Sequence, residues 1–293
     1  MKEFSTTSIR NIVLASHSSS GKTMLAENLL HFTGATTRVG KIEDGTTVSD
    51  FDDEEHRRGI SLFTSVLPVL YKDLKINFLD TPGYTDFVGE VVSAMRVADC
   101  ALILVDSVAG LEVGTEMAFE YAQNFNLPQI LVINKMDREN ADFRKALASV
   151  QEGTKMRLIP MQLPWGEKAD FKGVIDLVSM KAFPAEGKTA VEIPAEYAAE
   201  AADARTALIE AAAEGEDALL EKYLENGDLT PDETLKGLHK AIQNSNVIPV
   251  LVASGAHAIG VGPLLDALAN LAPAPNERPA VKAISPRGEV ELR

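Results

Sequence analysis

Residues 11–30, Asn-Ile-Val-Leu-Ala15-Ser16-His17-Ser18-Ser19-Ser20-Gly21-Lys22-Thr23-Met-Leu-Ala-Glu-Asn-Leu-Leu30, decide the fold. A short apolar run, Asn11–Ala15, breaks into a Ser-rich turn. From Lys22 the spacing turns helical, with Leu25, Leu29 and Leu30 on one side. A strand, a loop ending in Gly-Lys-Thr and a helix together suit a phosphate group, which needs backbone N–H donors, a helix N-terminus, a point cation and a magnesium ligand. Gly21 lets the backbone come close, Lys22 reaches the β- and γ-phosphates, and the Thr23 hydroxyl suits Mg²⁺. The strict pattern G-x-x-x-x-G-K-[ST] fails at its first position, where Ser16 stands. A Ser-rich loop that merely caps a helix reads the same way, so the neighbouring segments must decide.

Working outward, Ser61–Tyr71 and Leu74–Leu79 read as two strands joined by a polar turn at Lys72 and Asp73. Ala101–Val105 and Ile130–Ile133 are continuous apolar runs, as buried parallel strands require. Helical stretches near 112–125 and 140–154 follow them, then a strand at Val247–Val252 and a helix near 263–271. This alternation predicts an α/β fold, a doubly wound, mostly parallel sheet with an inserted α+β subdomain, and the loop ending in Gly21-Lys22-Thr23 would make it one of the P-loop type. Residues 36–60, polar and acid-rich, read as a long loop of the functional kind. The expected organisation is a core of 1–155 plus 245–275, an acidic insert at 156–244, and a linker at 276–293 toward a following β domain. Within the insert, MRLIPMQLPW and FKGVIDLVSM read as a strand pair.

The chain has 293 residues, with 28 basic against 43 acidic side chains and a formal net charge of −15. Such a balance argues against a large basic groove wrapped on nucleic acid or an anionic membrane. From Glu196 to Glu233 twelve acids face two bases, a net of −10, so most of the excess sits in the insert. That stretch is a solvated helix face or an acidic docking surface. The single cysteine, Cys100, excludes an internal disulfide and a Cys/His zinc site. No apolar stretch approaches membrane-span length. A cytoplasmic monomer with no membrane partner is expected.

Two further motifs end strands. Asp80-Thr81-Pro82-Gly83-Tyr84 follows INFL; a carboxylate there can hold Mg²⁺ through water, and the Gly83 N–H can bond a γ-phosphate. Asn134-Lys135-Met136-Asp137 follows ILVI; a carboxylate accepting from N1–H and N2–H₂ fits guanine and leaves adenine unpaired. Lys135 can lie along the base plane while Asn134 braces neighbouring loops. An ATP-using protein would require Asp137 to be accidental. Ligands of open α/β sheets bind outside the carboxyl ends of the strands, where all three motifs fall.

With these motifs in this order the chain resembles the translational GTPases, most closely the G domain of elongation factor G and elongation-factor-G-like proteins. Arg58-Gly59-Ile60-Ser61 is similar to that family's R-G-I-T, and Asn140 and Phe143 match after the third motif. The resemblance implies GTP as substrate, GDP as product, Mg²⁺ as cofactor, Ser61 as a second magnesium ligand, and Ser254 with Gly255 at the base. It implies a ribosome partner and catalysis through Lys22, Gly83 and residue 84. Ribosomal protection and release-factor GTPases share the same motifs. Three departures stand out: Ser16 for Ala or Gly; Ser19 for Asp, which bears on monovalent-cation assistance; and Tyr84 for the histidine that positions the attacking water. Phenols ionise near about 10, so a tyrosine is a different catalyst near neutrality. Normal turnover, weak turnover and a nucleotide-holding module without hydrolysis all remain open at this point.

Overall fold

The computed structural model describes residues 3–186, 189–286 and 288–292. Small parts of the expected core (1–2), insert (187–188) and linker (287, 293) lie outside the described residues. In chain order the elements are β1 (Ile9–Ala15), α1 (Lys22–Phe32), α2 (Asp53–Arg58), β2 (Ser65–Tyr71), β3 (Leu74–Asp80), α3 (Val88–Val97), β4 (Cys100–Asp106), α4 (Val113–Asn124), β5 (Gln129–Asn134) and α5 (Phe143–Thr154). There follow β6 (Leu158–Pro160), β7 (Gln162–Trp165), β8 (Gly173–Asp176), β9 (Lys181–Pro184), α6 (Ala198–Ala213), α7 (Asp217–Asn226), α8 (Pro231–Gln243), β10 (Ile248–Val252), α9 (Val261–Leu271), β11 (Val281–Ser285) and β12 (Gly288–Leu292).

Seven strands form the main sheet in the order β2-β3-β1-β4-β5-β10-β6. All its pairings are parallel except β2 with β3. The expected P-loop type α/β architecture is therefore what the chain adopts. Strands β4 and β5 are buried at every residue, which is why they read as unbroken apolar runs. Strand β2 alternates between buried and exposed residues and carries Pro68, both marks of an edge strand. Register matters for the site: Leu14 pairs with Asp80 and Asp106 with Asn134, so the strands end at one level.

The structure corrects four details of the expected layout. The 36–60 loop holds a helix, α2, closed by a capping box between Asp52 and Glu55 and by Gly59 at φ +64°. The strand expected from Ser61 begins only at Ser65, because carboxylates take the backbone donors before it: Glu55 accepts from the N–H of Leu62 and Phe63, and Glu90 from that of Thr64. The first strand of the expected insert pair divides at Met161. Leu158–Pro160 adds to the main sheet beside β10, while β7 pairs antiparallel with β8, and β8 with the unanticipated β9. Where a linker is expected, β11 and β12 form an antiparallel ribbon.

Helices α6 and α8 pack together, and α8 packs on α9 and β10, so the inserted segment shares one apolar core with the main sheet. Helix α8 starts at a capping box of Thr230 and Glu233 with Pro231 in its first turn. None of the twelve acids between Glu196 and Glu233 is buried. Among the described residues no helix is long and apolar enough to cross a membrane.

Candidate functional site

At the carboxyl ends of β1, β3 and β5 lies a cleft of about 370 Å³. Ser18, Ser19, Gly21, Lys22 and Thr23 line it from the first loop, Gly83 and Tyr84 from the second, and Asn134, Lys135 and Asp137 from the third. Ser61 completes the wall from the long loop. Of the remaining residues expected at the site, Ser16, His17, Ser20, Asp80, Ser254 and Gly255 stand behind this lining and hold it in place.

The first loop turns into α1 through Gly21 at φ +94°, where an added Cβ would meet Asn134 Nδ2 at 2.6 Å. Only glycine satisfies both the left-handed backbone and that approach. Asn134 joins three loops: its Nδ2 donates to Ser20 O (2.9 Å), and its Oδ1 accepts from the Gly255 N–H (2.8 Å). Thr81 Oγ1 ties the second loop to Leu14 O (2.7 Å). His17 fastens the first loop to the start of α4, donating its N–H to Thr115 Oγ1 (3.2 Å) and accepting at Nδ1 from the Gly114 N–H (3.2 Å).

At the cationic end, Lys22 Nζ donates to Ser16 Oγ (2.9 Å) and His17 O (3.2 Å). Burial holds its ammonium down at about 8, and the charge of Asp80 opposes that fall. Gly83 comes so near that a Cβ there would lie 2.7 Å from Lys22 Nζ and 2.7 Å from Ser18 Cα.

Beside the lysine, Asp80 Oδ2 accepts from Ser49 Oγ (2.6 Å) and Thr23 Oγ1 (3.0 Å), and Ser61 Oγ lies 3.3 Å from Thr23 Oγ1. Burial pushes Asp80 up to about 6, while Ser49, Lys22 and Thr23 act the other way. Its Oδ1 is buried with no hydrogen-bond partner among the described residues. Among those residues no three His, Cys, Asp or Glu side chains group as a metal cage. The hydroxyls of Thr23 and Ser61 and the Asp80 carboxylate, one of whose oxygens is unpartnered, are instead a hard-oxygen donor set. They suit a divalent cation that keeps waters and shares phosphate oxygens.

At the far end, Asp137 Oδ1 accepts from Ser254 Oγ (2.5 Å), and Oδ2 lies 3.4 Å from His257 Nε2. Lys135 Nζ donates to Ser19 O and to Asp106 Oδ2 (2.9 Å). Burial acts to raise Asp106, but the bonds from Lys135 and the Val108 N–H outweigh it and keep this carboxyl below its usual range.

Sequence reasoning missed the carboxylates that order the long loop. Glu27, fully buried on α1, accepts from the N–H of Gly40 (2.9 Å) and Val48 (2.5 Å). Glu55 accepts from the N–H of Phe51 and Asp52 as well as from Leu62 and Phe63. Asp50, itself in the cleft wall, accepts from Ser61 Oγ (2.7 Å) and Thr47 Oγ1 (3.1 Å). The D-x-x-E spacing of Asp52 and Glu55 was a readable cap signal; the reach of Glu27 was not.

Tyr84 is 42% exposed, and its hydroxyl makes no hydrogen bond among the described residues. Tyr84 also lines a small apolar recess with Pro82, Val88, Val91 and Met117.

Residues 7–274 match the family model for the elongation factor Tu GTP-binding domain. A crystal structure from Thermus thermophilus is 33% identical and superposes with a TM-score of 0.87, over 98% of this chain and 48% of that one. The chain thus spans about half the length of that solved protein.

Proposed function

The chain belongs to the elongation factor Tu GTP-binding domain family, and on that premise we propose that it binds GTP in this cleft and hydrolyses it to GDP and phosphate as the switching domain of an elongation-factor-G-like translation factor. One observation carries the reading: Lys22, Thr23 and Asp137 wall a single cleft, with Asp80 hydrogen-bonded directly beneath it. Lys22 neutralises β- and γ-phosphate charge, and its burial makes that attraction stronger than it would be in water. The Gly83 N–H serves the γ-phosphate. Asp137 selects guanine, with Lys135 along the base and Ser254 and Gly255 closing its edge. Thr23 and Ser61 would ligate Mg²⁺ directly and Asp80 through water. When bound, the ion offsets phosphate charge as it develops. Asp50 positions Ser61, which couples the long loop to the nucleotide. Loss of the γ-phosphate then shifts that loop and the segment after Asp80 toward another population, altering affinity for a partner. The family resemblance supports the ribosome as that partner and the cytoplasm as the compartment, and we take the domain to act as a monomer.

A second reading rests on Tyr84: a module that holds GTP or GDP and turns it over negligibly. Its unengaged hydroxyl and apolar recess support packing as readily as catalysis. Phosphate release with and without ribosomes, with ATP as competitor, separates the readings. Ribosome-stimulated release that ATP does not inhibit supports hydrolysis; GTP binding without release supports the holding module; effective competition by ATP defeats the guanine assignment. Tyr84→His is expected to raise stimulated turnover by about a hundredfold, the low end of what a positioned acid–base group contributes. An unchanged rate would remove Tyr84 from the mechanism.

A further inference from the structure

The Lys22 ammonium has three protons and, within the cleft, three acceptors: Ser16 Oγ at 2.9 Å, His17 O at 3.2 Å and Ser16 O at 3.4 Å. The nearest is the side-chain hydroxyl. That hydroxyl has no freedom to turn away, since its own proton is donated to His17 O (2.8 Å) and its lone pair is left facing the lysine. The His17 carbonyl is fixed in turn. It accepts from Ser20 Oγ (3.1 Å), and the His17 N–H and ring are held by Thr115 and Gly114 at the start of α4. Ser16 is 5% exposed, so water cannot readily replace the contact. At Gly83 any Cβ would lie 2.7 Å from the ammonium, so glycine there keeps the space beside Lys22 open to a phosphate oxygen.

Resting on the nucleotide reading above, we propose that the Ser16 hydroxyl competes with phosphate oxygens for the Lys22 ammonium and thereby sets how tightly nucleotides bearing a β-phosphate are held. A phosphate oxygen reaching Lys22 must share or displace a charge-assisted bond that an alanine or glycine at position 16 would not make. Removing that competitor leaves a buried ammonium proton without its nearest acceptor, which the β-phosphate then satisfies. The α-phosphate, held by the backbone at the start of α1, gains nothing from the change. Ser16 is thus a positioning residue that acts through Lys22.

The test compares the intact chain with its Ser16→Ala and Ser16→Gly variants, measuring GDP and GMP affinities by displacement of a fluorescent GDP. Melting without nucleotide establishes that each variant is folded, and the glycine variant answers the question if the alanine variant is not. The expected result is GDP binding about tenfold tighter in both variants, the size of one charge-assisted bond, with GMP unchanged. Unchanged GDP affinity, or GDP and GMP moving together, overturns the role of Ser16 while leaving the nucleotide site standing. Failure of the unsubstituted chain to bind GDP overturns the nucleotide site and this role with it.

Discussion

Asp137→Asn is expected to lower GDP affinity by about a thousandfold and to make xanthosine diphosphate the preferred ligand. The carboxylate is the acceptor for two guanine donors, N1–H and N2–H₂, and each bond to a charged group contributes about 1.5–3 kcal/mol. An asparagine presents an N–H₂ where guanine presents hydrogens, so two donors collide. Xanthine carries a carbonyl at position 2, which that amide satisfies. The substitution leaves the surrounding fold intact, because the asparagine Oδ1 can still accept from Ser254 Oγ, and the His257 contact at 3.4 Å lies at an exposed imidazole. Competition among GDP, xanthosine diphosphate and ADP against a fluorescent nucleotide reads the preference directly. Retained guanine selectivity would show that the base is recognised elsewhere, and the assignment of Asn134, Lys135, Ser254 and Gly255 would go with it.

The strands that carry this site were legible for a simple reason. A parallel strand covered on both faces has no polar side to display, so Cys100–Asp106 and Gln129–Asn134 announce themselves as apolar runs ending in a polar residue. The residues after each run were legible because phosphate and guanine admit few donor types at few spacings. Elsewhere the local signal was outvoted. Ser61–Thr64 has the composition of a strand, yet Glu55 and Glu90 claim its N–H groups, and nothing nearby in sequence says that they will. Met161 sits within a stretch, Leu158–Trp165, that is apolar except for Gln162, and competition between β10 and β8 for its neighbours divides that stretch between two sheets. The grip of Glu27 on Val48 spans 21 residues, and that of Ser49 on Asp80 spans 31; neither has a spacing rule. Ser16 was visible as a departure from the strict motif, but its hold on Lys22 exists only once the loop has folded.

Asp80→Asn should act in opposite directions on stability and on ligand affinity, which separates a site residue from a structural one. The folded carboxyl titrates at about 6 rather than its ordinary 3.8, because burial disfavours the charge. A raised carboxyl pKa stabilises the fold relative to its ionised form below about 3.8. That contribution is lost as pH rises through about 6, so near neutrality the buried charge costs about 3 kcal/mol. Neutralising it removes that cost, which already includes the attraction of Lys22, but places an amide N–H₂ where Oδ1 is buried without a partner, itself a cost of about 1–3 kcal/mol. The net gain is therefore smaller, about 1 kcal/mol, or a few degrees in Tm for a chain of this size. With EDTA present and no nucleotide, the variant is expected to melt a few degrees higher at pH 7.5, the difference shrinking as pH falls below 6. The same substitution takes from the cation the carboxylate whose Oδ1 has no other partner, so the Mg²⁺-dependent part of GDP affinity should fall about ten- to a hundredfold. Calorimetric titration of GDP with and without Mg²⁺ measures that part. A variant that melts lower and binds Mg²⁺-GDP as the unsubstituted chain does would make Asp80 a structural residue and remove the carboxylate from the proposed metal site.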